Sequence, residues 1–247
     1  MREAFPRQHI LHCLNQSLVH LQRDAVDLYQ FHVWSDKWAA DDEWRSTVEE
    51  IRRSGKVRFI GISVNDHEPA NVLEALKTGL IDSVQVIYNV FDQSPEDRLF
   101  SFCRKDNIGV IARVPFDEGS LAGAIRPDTT FPPGDFRNYY FGWNRKQQVC
   151  EHVQRLVEDI GIGYDDLPEL ALRCCISNRA VNTVIPGMRN PAHVEANTKA
   201  SDKGALDQVL MCRLHHHRWT RNFYSPPKSW VRRMKDAIIG AGTSTAA

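Results

Sequence analysis

The chain has 247 residues, of which 42% are hydrophobic and 25% are charged, and its formal net charge is zero. This balance gives no electrostatic footprint for nucleic acid or anionic lipid, so neither is expected as a partner. No apolar run approaches the roughly 20 residues that span a bilayer, the N-terminus lacks the apolar core of a signal peptide, and the six cysteines include no C-x-x-C pair. A cytoplasmic globular protein with reduced thiols is therefore expected.

The first elements alternate between helical and strand patterns. Apolar residues at helical spacing predict a helix over about 8–22, and a strand pattern follows at 25–32. A second helix, over about 41–53, starts with acidic residues, ends with basic residues and has Gly55 just beyond it, as the helix dipole and a glycine C-cap favour. A second strand follows at 57–63.

The alternation continues with a helix over 68–79, a strand at 83–88, a helix over about 95–105 and a strand at 108–113. Each strand and its helix take about 25–30 residues, a rhythm typical of parallel strands joined by crossover helices. The strands read as apolar on both faces, which predicts a sheet covered by helices.

A long irregular segment at about 115–143 interrupts this rhythm, and segments of that length inside a domain usually carry function or are disordered. The remaining predicted elements are helices at about 145–160, 165–177, 191–200 and 203–217 and a strand at 181–185. Residues 1–224 are predicted to form one domain, and the tail at 225–247 is expected to be partly disordered.

The number of strands leaves two fold classes open. Five strands are predicted, whereas a closed (β/α)8 barrel needs eight. The chain is therefore either an open doubly wound sheet or a barrel that lacks three N-terminal units. Both folds bind ligands at the carboxyl ends of their strands, so polar side chains that collect there predict a site. Those side chains are His32, Ser63, Asn65, Asp66, Asn89, Asp92, Arg113, Asp117 and Arg189.

Five segments resemble the aldo-keto reductases and follow one another in that family's order. They are "LNQSLVHLQRDAVDLYQFHVW", "GKVRFIGISVNDHEPANVLEAL", "SVQVIYNVFDQ", "GVIARVPFDEGSLAG" and "VIPGMRNPAHVEANTKA", and they cover about residues 8–200. The segment "HRWTRNFY", residues 217–224, is similar to the C-terminal segment of one bacterial subgroup. The resemblance implies a (β/α)8 barrel that binds NADPH at the carboxyl ends of its strands and reduces a carbonyl compound.

The family's catalytic set is an Asp, a Tyr, a Lys and a His. His32 matches the histidine, which polarises the carbonyl group, and a neutral imidazole N–H does this without becoming charged. The motifs that carry the Asp, the Tyr and the Lys do not occur in the sequence. The resemblance thus implies an N-terminally truncated barrel with about five of eight βα units, without roughly 90 residues at about 30 per unit, and no normal turnover.

The resemblance also assigns residues to the nicotinamide end of NADPH. Ser63 and Gln85 match residues that hold the carboxamide, and Asn65 lies near the position of a family asparagine that does the same. Arg113 stands where many members have a tyrosine that stacks on the ring, and a guanidinium can stack there or pair with pyrophosphate.

Further residues match the phosphate end. Gly119 and Leu121 belong to a loop that covers the pyrophosphate, while Gly187, Arg189 and Asn197 belong to the turn and helix after the last strand. Arg189 before a helix N-terminus suits a 2′-phosphate, because the helix dipole and the free N–H groups already favour anions. NADP is therefore predicted in preference to NAD.

Structural roles stay open for several of these residues. His32 could fill space in a core, Ser63 could cap the next helix, and Asn65 could form a turn or an N-cap. Arg113 could pair with Asp117 instead of contacting a cofactor.

The predicted function is NADPH-dependent reduction of an aldehyde or ketone, in a chain without the Asp, Tyr and Lys part of the site. The partner would be a small carbonyl substrate, and neither its identity nor the oligomeric state can be predicted. The alternatives are a non-catalytic nucleotide-binding or regulatory module and an unstable gene fragment with bare sheet edges. No metal site is expected, because the consecutive His215, His216 and His217 point in different directions on a helix.

Overall fold

The computed structural model describes residues 5–226, which contain five β-strands and nine α-helices. The strands are β1 (Val26–His32), β2 (Val57–Ser63), β3 (Ser83–Ile87), β4 (Gly109–Arg113) and β5 (Thr183–Ile185). The helices are α1 (Arg7–Leu21), α2 (Asp42–Arg53), α3 (Leu73–Leu76), α4 (Leu99–Lys105), α5 (Arg137–Tyr140), α6 (Arg145–Ile160), α7 (Leu167–Ser177), α8 (Pro191–Asp202) and α9 (Gln208–His215).

Helix α2 shows how the sequence starts and ends an element. The Asp41 side chain accepts a hydrogen bond of 2.8 Å from the Glu43 backbone N–H, which satisfies one free donor of the first turn. The helix ends in Arg52 and Arg53, and Gly55 follows with a φ of +71°. Its buried residues share one face because they are three or four positions apart. They are Trp44, Thr47, Val48 and Ile51.

The five strands are all parallel, and their order in the sheet is their order in the chain. Connections between parallel strands are right-handed in nearly all proteins, so a sheet wound in one direction carries its helices on one face. A doubly wound sheet reverses its strand order and covers both faces. The observed order is that of five successive strands of a (β/α)8 barrel, and the doubly wound alternative is wrong.

The face beneath the helices is the main core of the protein. Leu14 of α1 and Trp44 of α2 are at most 1% exposed and pack in this core. Burying a large apolar side chain contributes about 1.5–3 kcal/mol, so many such residues together hold the helices on the sheet. Strand residues on this face are at most 2% exposed, and they are Ile60, Ile62, Val84, Val86, Val110 and Ala112.

The opposite face of the sheet is open. Phe59 is 46% exposed and Ile185 is 47% exposed, although both lie in strands. Gln30 and Gln85 meet across this face at 3.2 Å. The predicted covering of both faces is therefore wrong for residues 5–226, because single winding puts the helices on one side only. In a closed barrel this open face is the interior.

A second core joins α6, α7 and α9 to the loops that follow β3 and β4. Phe223, near the end of the described chain, is 6% exposed and also packs here. This core supports the loops at the carboxyl ends of the strands from behind. Its fully buried members include Phe91, Leu121, Leu156, Leu167 and Leu214.

Helix α3 is much shorter than the predicted helix over 68–79. The Asn71 side chain donates to the Trp34 carbonyl oxygen at 3.2 Å and accepts from the Asp36 backbone N–H at 2.9 Å. The Asp36 carboxylate in turn accepts hydrogen bonds from two backbone N–H groups of α3. These contacts with the β1–α2 connection hold the chain before α3 in turns, and local helical spacing does not report them.

Two other predicted segments differ from the observed structure in their secondary structure or their limits. The irregular segment at 115–143 includes a short 3-10 helix, Asp117–Ala122, as well as α5. The predicted helix over 203–217 begins later, because Gly204 has a φ of +71° and the Asp207 side chain caps α9.

The tail prediction falls on residues 225–247, of which all but the first two lie outside the described residues. Its disorder, and the division of the chain at residue 224, therefore stay predictions. Among the helices of residues 5–226, none has the length and apolar character needed to cross a bilayer.

Candidate functional site

His32, Ser63 and Gln85 lie side by side on three neighbouring strands. The register pairs His32 of β1 with Ser63 of β2, and Ser63 with Gln85 of β3. Strand side chains alternate between faces, so residues paired at one level share a face. Three residues that the sequence suggests separately thus form one row at the carboxyl edge of the sheet. His32 is exposed, so it does not fill space in a core.

The Ser63 hydroxyl has no hydrogen-bond partner within the described residues, although Ser63 is only 3% exposed. Buried hydroxyls in folded proteins nearly always bond to protein or water, so the Ser63 hydroxyl has an unused capacity for one more hydrogen bond. Ser63 does not cap α3, because the Asp36 carboxylate does so. Beside it, Gln85 Oε1 accepts a hydrogen bond of 3.2 Å from Gln30 Nε2, which fixes the Gln85 amide.

Asn65 and Arg113 bind loop atoms of the protein itself. Asn65 Oδ1 accepts a hydrogen bond of 2.9 Å from the Trp34 backbone N–H, which ties the loop after β2 to the end of β1. Arg113 Nη2 donates to Asp66 Oδ1 at 2.6 Å and to the Val64 carbonyl oxygen at 3.2 Å. Arg113 Nε is buried and has no hydrogen-bond partner in the described part of the chain.

The alternative pairing of Arg113 with Asp117 is wrong. Asp117 forms an ion pair with Arg221, and these side chains are 2% and 6% exposed. Arg221 lies 104 residues further along the chain, so the C-terminal segment brings it to the carboxyl edge and local spacing does not. Asp117 also has a φ of +50°, in the left-handed region that non-glycine residues seldom adopt.

Three residues predicted for the phosphate end line one cavity. Gly119, Gly187 and Arg189 share a cavity of about 490 Å³ between the loop after β4 and the end of β5, with Phe136 and Arg137 on its wall. Gly119 has a φ of +106°, which only glycine adopts readily. No atom lies within 4 Å of the position that a Cβ of Gly187 would take, so the space beside this turn is open.

Arg189 supplies this cavity with a cation that forms no ion pair within 4.0 Å among residues 5–226. Arg137 pairs with Asp135 at 2.8 Å, and hydrogen bonds from Arg137, together with the charges of Arg137 and Arg189, lower the pKa of Asp135 to about 2. Asn190 caps α8 by accepting a hydrogen bond of 2.9 Å from the His193 backbone N–H. Arg189 thus stands directly before a helix N-terminus, where anions are favoured.

Leu121 and Asn197 do not line this cavity. Leu121 is fully buried in the second core, where it supports the loop after β4. Asn197 is 9% exposed, and its Nδ2 donates to the Gly187 carbonyl oxygen at 3.3 Å, which shapes the turn from β5 to α8. Their direct contact with a cofactor stays a prediction.

A different cavity, of about 800 Å³, opens at the opposite edge of the sheet, and none of the predicted site residues lines it. Its lining includes Leu28, Phe59 and Ser83, close to the starts of the strands or on the open face. Ligands of parallel α/β folds bind at the carboxyl edge, so this cavity is not the candidate site. Within residues 5–226, no group of three His, Cys, Asp or Glu side chains could hold a metal ion.

A buried pair of His67 and Asp92 lies at the carboxyl edge, and the sequence patterns do not predict this pairing. His67 Nδ1 is 2.5 Å from Asp92 Oδ2, and the side chains are 8% and 2% exposed. Burial alone raises the pKa of Asp92, but hydrogen bonds from His67 and Ser94 outweigh burial and hold this pKa below its ordinary value. Asp92 is recognisable as polar at a strand end, but no local spacing pairs it with a residue 25 positions earlier.

A run of five parallel strands with polar side chains and a cavity at its carboxyl edge is the arrangement of barrel enzymes. The chain matches the model of the Aldo/keto reductase family over residues 1–217, most of its 247 residues. It belongs to this family, and the family predicted from the sequence is confirmed.

Curated relatives are longer than this chain. It is 26% identical over 193 residues to the aldo-keto reductase YhdN of Bacillus subtilis, a match that covers 77% of the chain and 57% of YhdN. It is 26% identical over 190 residues to the NADP(+) aldo-keto reductase yakc of Schizosaccharomyces pombe, covering 74% of the chain and 55% of yakc. The NADH-specific methylglyoxal reductase of Escherichia coli is also 26% identical over 190 residues, covering 74% of the chain and 56% of that enzyme.

A solved structure shows the same architecture. The holo form of the aldo-keto reductase AKR11C1 from Bacillus halodurans superposes with a TM-score of 0.68 at 25% identity, covering 89% of this chain and 68% of that chain. The prediction of an incomplete aldo-keto reductase barrel is confirmed.

Proposed function

We propose that this chain provides the cofactor-binding edge of an aldo-keto reductase site for the NADPH-dependent reduction of an aldehyde or ketone. The observation that carries the proposal is the presence of two features at one edge. They are the unpartnered Ser63 hydroxyl and the cavity lined by Gly119, Gly187 and Arg189. β2 and β5 are three strand spacings apart, roughly 14 Å at about 4.8 Å each, so a ligand that reaches both must be extended.

At the nicotinamide end, the protein would hold an amide and polarise a carbonyl group. The Ser63 hydroxyl can donate to or accept from a carboxamide, and the fixed amide of Gln85 lies beside it. His32 is exposed in the same row and would donate an N–H to the oxygen of a carbonyl substrate. When bound, NADPH supplies the hydride for the carbonyl carbon.

At the phosphate end, Arg189 supports a preference for NADP over NAD. Its guanidinium has no ion-pair partner within 4.0 Å among the described residues and precedes the capped N-terminus of α8. A dianionic 2′-phosphate at this position would gain a charge-assisted pair and the favourable end of the helix dipole. The names of two relatives, one with NADP(+) and one NADH-specific, leave this choice to the residues of this chain.

The Arg189 assignment predicts a difference between the two cofactors. Arg189→Gln should weaken NADPH binding about tenfold, the loss of one charge-assisted hydrogen bond, and should leave NADH binding unchanged. The matched control is Arg104→Gln, an exposed arginine in the last turn of α4 at the opposite edge. Fluorescence titration of NADPH and NADH measures all three proteins. An equal loss for both cofactors would contradict the 2′-phosphate role.

Binding without normal turnover is the expected behaviour of this 247-residue chain. The sequence carries no counterpart of the family's Asp, Tyr and Lys, and general acid catalysis alone is typically worth about 10²–10⁴-fold in rate. NADPH oxidation in the presence of an aldehyde should therefore be at least about a hundredfold slower than in a relative with the full catalytic set. Turnover equal to that of such a relative would refute this, whereas tight NADPH binding without turnover would favour a nucleotide-binding module.

A further inference from the structure

Residues 218–225, close to the end of the described chain, cross the carboxyl edge and are here named the strap. The Trp219 backbone N–H donates to the Phe91 carbonyl oxygen at 2.8 Å. Arg145 Nη1 donates to the Phe223 carbonyl oxygen at 2.7 Å, and the Phe223 ring is buried in the second core. The Trp219 ring stacks on His152 with ring centroids 3.6 Å apart. The strap is thus fixed to the body of the protein along its length.

Two strap side chains reach the loop after β4. Arg221 pairs with Asp117, and both are at least nine-tenths buried. Tyr224 Oη donates a hydrogen bond of 2.5 Å to Glu118 Oε1. Burial, together with Glu118, raises the pKa of Tyr224 well above its ordinary value, so the phenol remains a donor over the whole working range of pH. The strap therefore holds two consecutive residues of this loop.

These two residues have an unusual backbone. Asp117 and Glu118 have φ values of +50° and +55°, and Gly119 follows with +106°. Non-glycine residues disfavour this left-handed region, and they persist there only when surrounding contacts hold them. Glu118 and Gly119 also line the cavity that contains Arg189. The shape of one cavity wall thus depends on a strained turn whose side chains are held by the strap.

We propose that Arg221 and Tyr224 are positioning residues for the cofactor cavity, because they hold the 117–119 turn in the conformation that forms its wall. Neither side chain needs to touch the cofactor. The affinity for NADPH would then depend on strap contacts, and by linkage bound NADPH would lower the population in which the strap is open. The role assigned to the cavity rests on the proposed function, whereas the effect of the strap on the turn does not.

The first experiment measures amide hydrogen exchange in the protein without cofactor. Tyr224→Phe removes one hydroxyl and keeps the ring, and it should speed exchange of the Gly119 and Leu121 amides, which bond to the Phe116 carbonyl oxygen, at least about fivefold. Sheet amides should keep their rates. Arg218→Gln is the matched control, because Arg218 is also a strap residue but pairs with Asp97, outside this loop.

Arg221 is tested by the double variant Arg221→Met with Asp117→Asn, because Arg221→Met alone leaves a buried carboxylate unpaired and can unfold the chain. The double variant should show the same local acceleration as Tyr224→Phe, with a cooperative unfolding transition retained. If loop exchange in both variants equals that of Arg218→Gln, the strap does not hold the turn and the proposal fails.

The second experiment titrates NADPH and NADH into the same proteins. Tyr224→Phe should weaken both cofactors at least about threefold, since Gly119 belongs to the loop assigned to the pyrophosphate, which both cofactors carry, and Arg218→Gln should weaken neither. A loosened loop with unchanged affinities would overturn the positioning role. If the unsubstituted chain binds neither cofactor, the proposed function fails instead, and the exchange experiment still decides whether the strap holds the turn.

Discussion

At the residue scale, the buried Asp92 carboxylate makes the clearest contribution to stability at the carboxyl edge. It accepts hydrogen bonds from the Ser94 backbone N–H at 3.0 Å and from the Ser94 hydroxyl, in addition to its contact with His67. Asp92→Asn should lower the free energy of unfolding by about 2 kcal/mol, since hydrogen bonds to a charged group are lost in a buried place. Urea unfolding at pH 7 measures this loss.

The matched control for that change is Asp97→Asn. The pKa of Asp97 is also lowered, mainly by its hydrogen bond with Arg218, but the Asp97 side chain is 53% exposed. Exposed ion pairs contribute about 0–1 kcal/mol, so the control should lose clearly less stability than Asp92→Asn. Equal losses would mean that burial of Asp92 does not strengthen its contacts.

The pH dependence of the Asp92 contribution has a definite sign. The folded-state pKa is below the ordinary value of about 3.9, so the stabilisation is complete above that value and is lost as the pH falls below it. The difference in unfolding free energy between the unsubstituted chain and Asp92→Asn should still be present at pH 5. It should shrink in urea titrations below about pH 4. A difference that grows from pH 5 to pH 3 would contradict the assignment.

Two glycines with similar backbone conformations allow the cost of backbone strain to be measured separately from the cost of steric overlap. Gly123 and Gly134 have φ values of +71° and +81°, but a Cβ on Gly123 would overlap the Tyr164 carbonyl oxygen while one on Gly134 meets nothing within 4 Å. Gly134→Ala should cost about 1 kcal/mol from the left-handed backbone alone. Gly123→Ala should cost at least about 1 kcal/mol more, because backbone has to shift. Thermal and urea unfolding give both values, and equal costs would exclude the overlap.

Single residues were predictable where a strand delivers them. His32 and Ser63 follow from the ends of apolar strands, because parallel strands bring their carboxyl ends to one edge. Gln85, inside β3, was predicted from the family resemblance alone. The partner of Asp117 could not be predicted, since Arg221 comes from a segment that no periodicity places. The pair of His67 and Asp92 could not be predicted for a similar reason, because it joins two loops that are close only in the folded sheet.

At the element scale, α8 depends on its N-cap. The Asn190 side chain bonds the His193 backbone N–H in the first turn. Asn190→Ala should cost about 1 kcal/mol of stability, whereas Asn190→Ser, which keeps a good capping group, should cost less than about 0.5 kcal/mol. Urea unfolding of the two variants tests the cap. A serine variant as unstable as the alanine variant would show that capping is not what Asn190 contributes.

Elements with a strong apolar pattern were predictable, and elements built on turns were not. All five strands and most long helices lie close to their predicted positions, since buried apolar spacing dictates them. The predicted length of α3 is wrong because side-chain hydrogen bonds from Asn71 to the β1–α2 connection compete with helical backbone hydrogen bonds. The single winding of the sheet needed the family resemblance as well, because spacing alone leaves an open doubly wound sheet possible.

At the scale of the whole molecule, the open sheet face predicts self-association. Phe59 is 46% exposed on that face, and β1 and β5 have no further strand beside them within residues 5–226. Exposed apolar faces and bare strand edges favour aggregation. Phe59→Ser should lower light scattering at a given concentration, whereas Val19→Ser on α1, where Val19 is 73% exposed, should not. Equal effects would indicate general surface hydrophobicity and not this face.

The winding of the sheet also orders its assembly in time. β1 and β2 are joined across about 31 residues, as the contact of Arg58 with Asp27 shows. The bond between Val110 and Asn182, which brings β5 to β4, spans 72 residues. The entropic cost of loop closure rises with the number of residues enclosed, so β5 should join after the other four strands. The cavity beside β5 would therefore be completed late in folding, after the row of His32, Ser63 and Gln85 has formed.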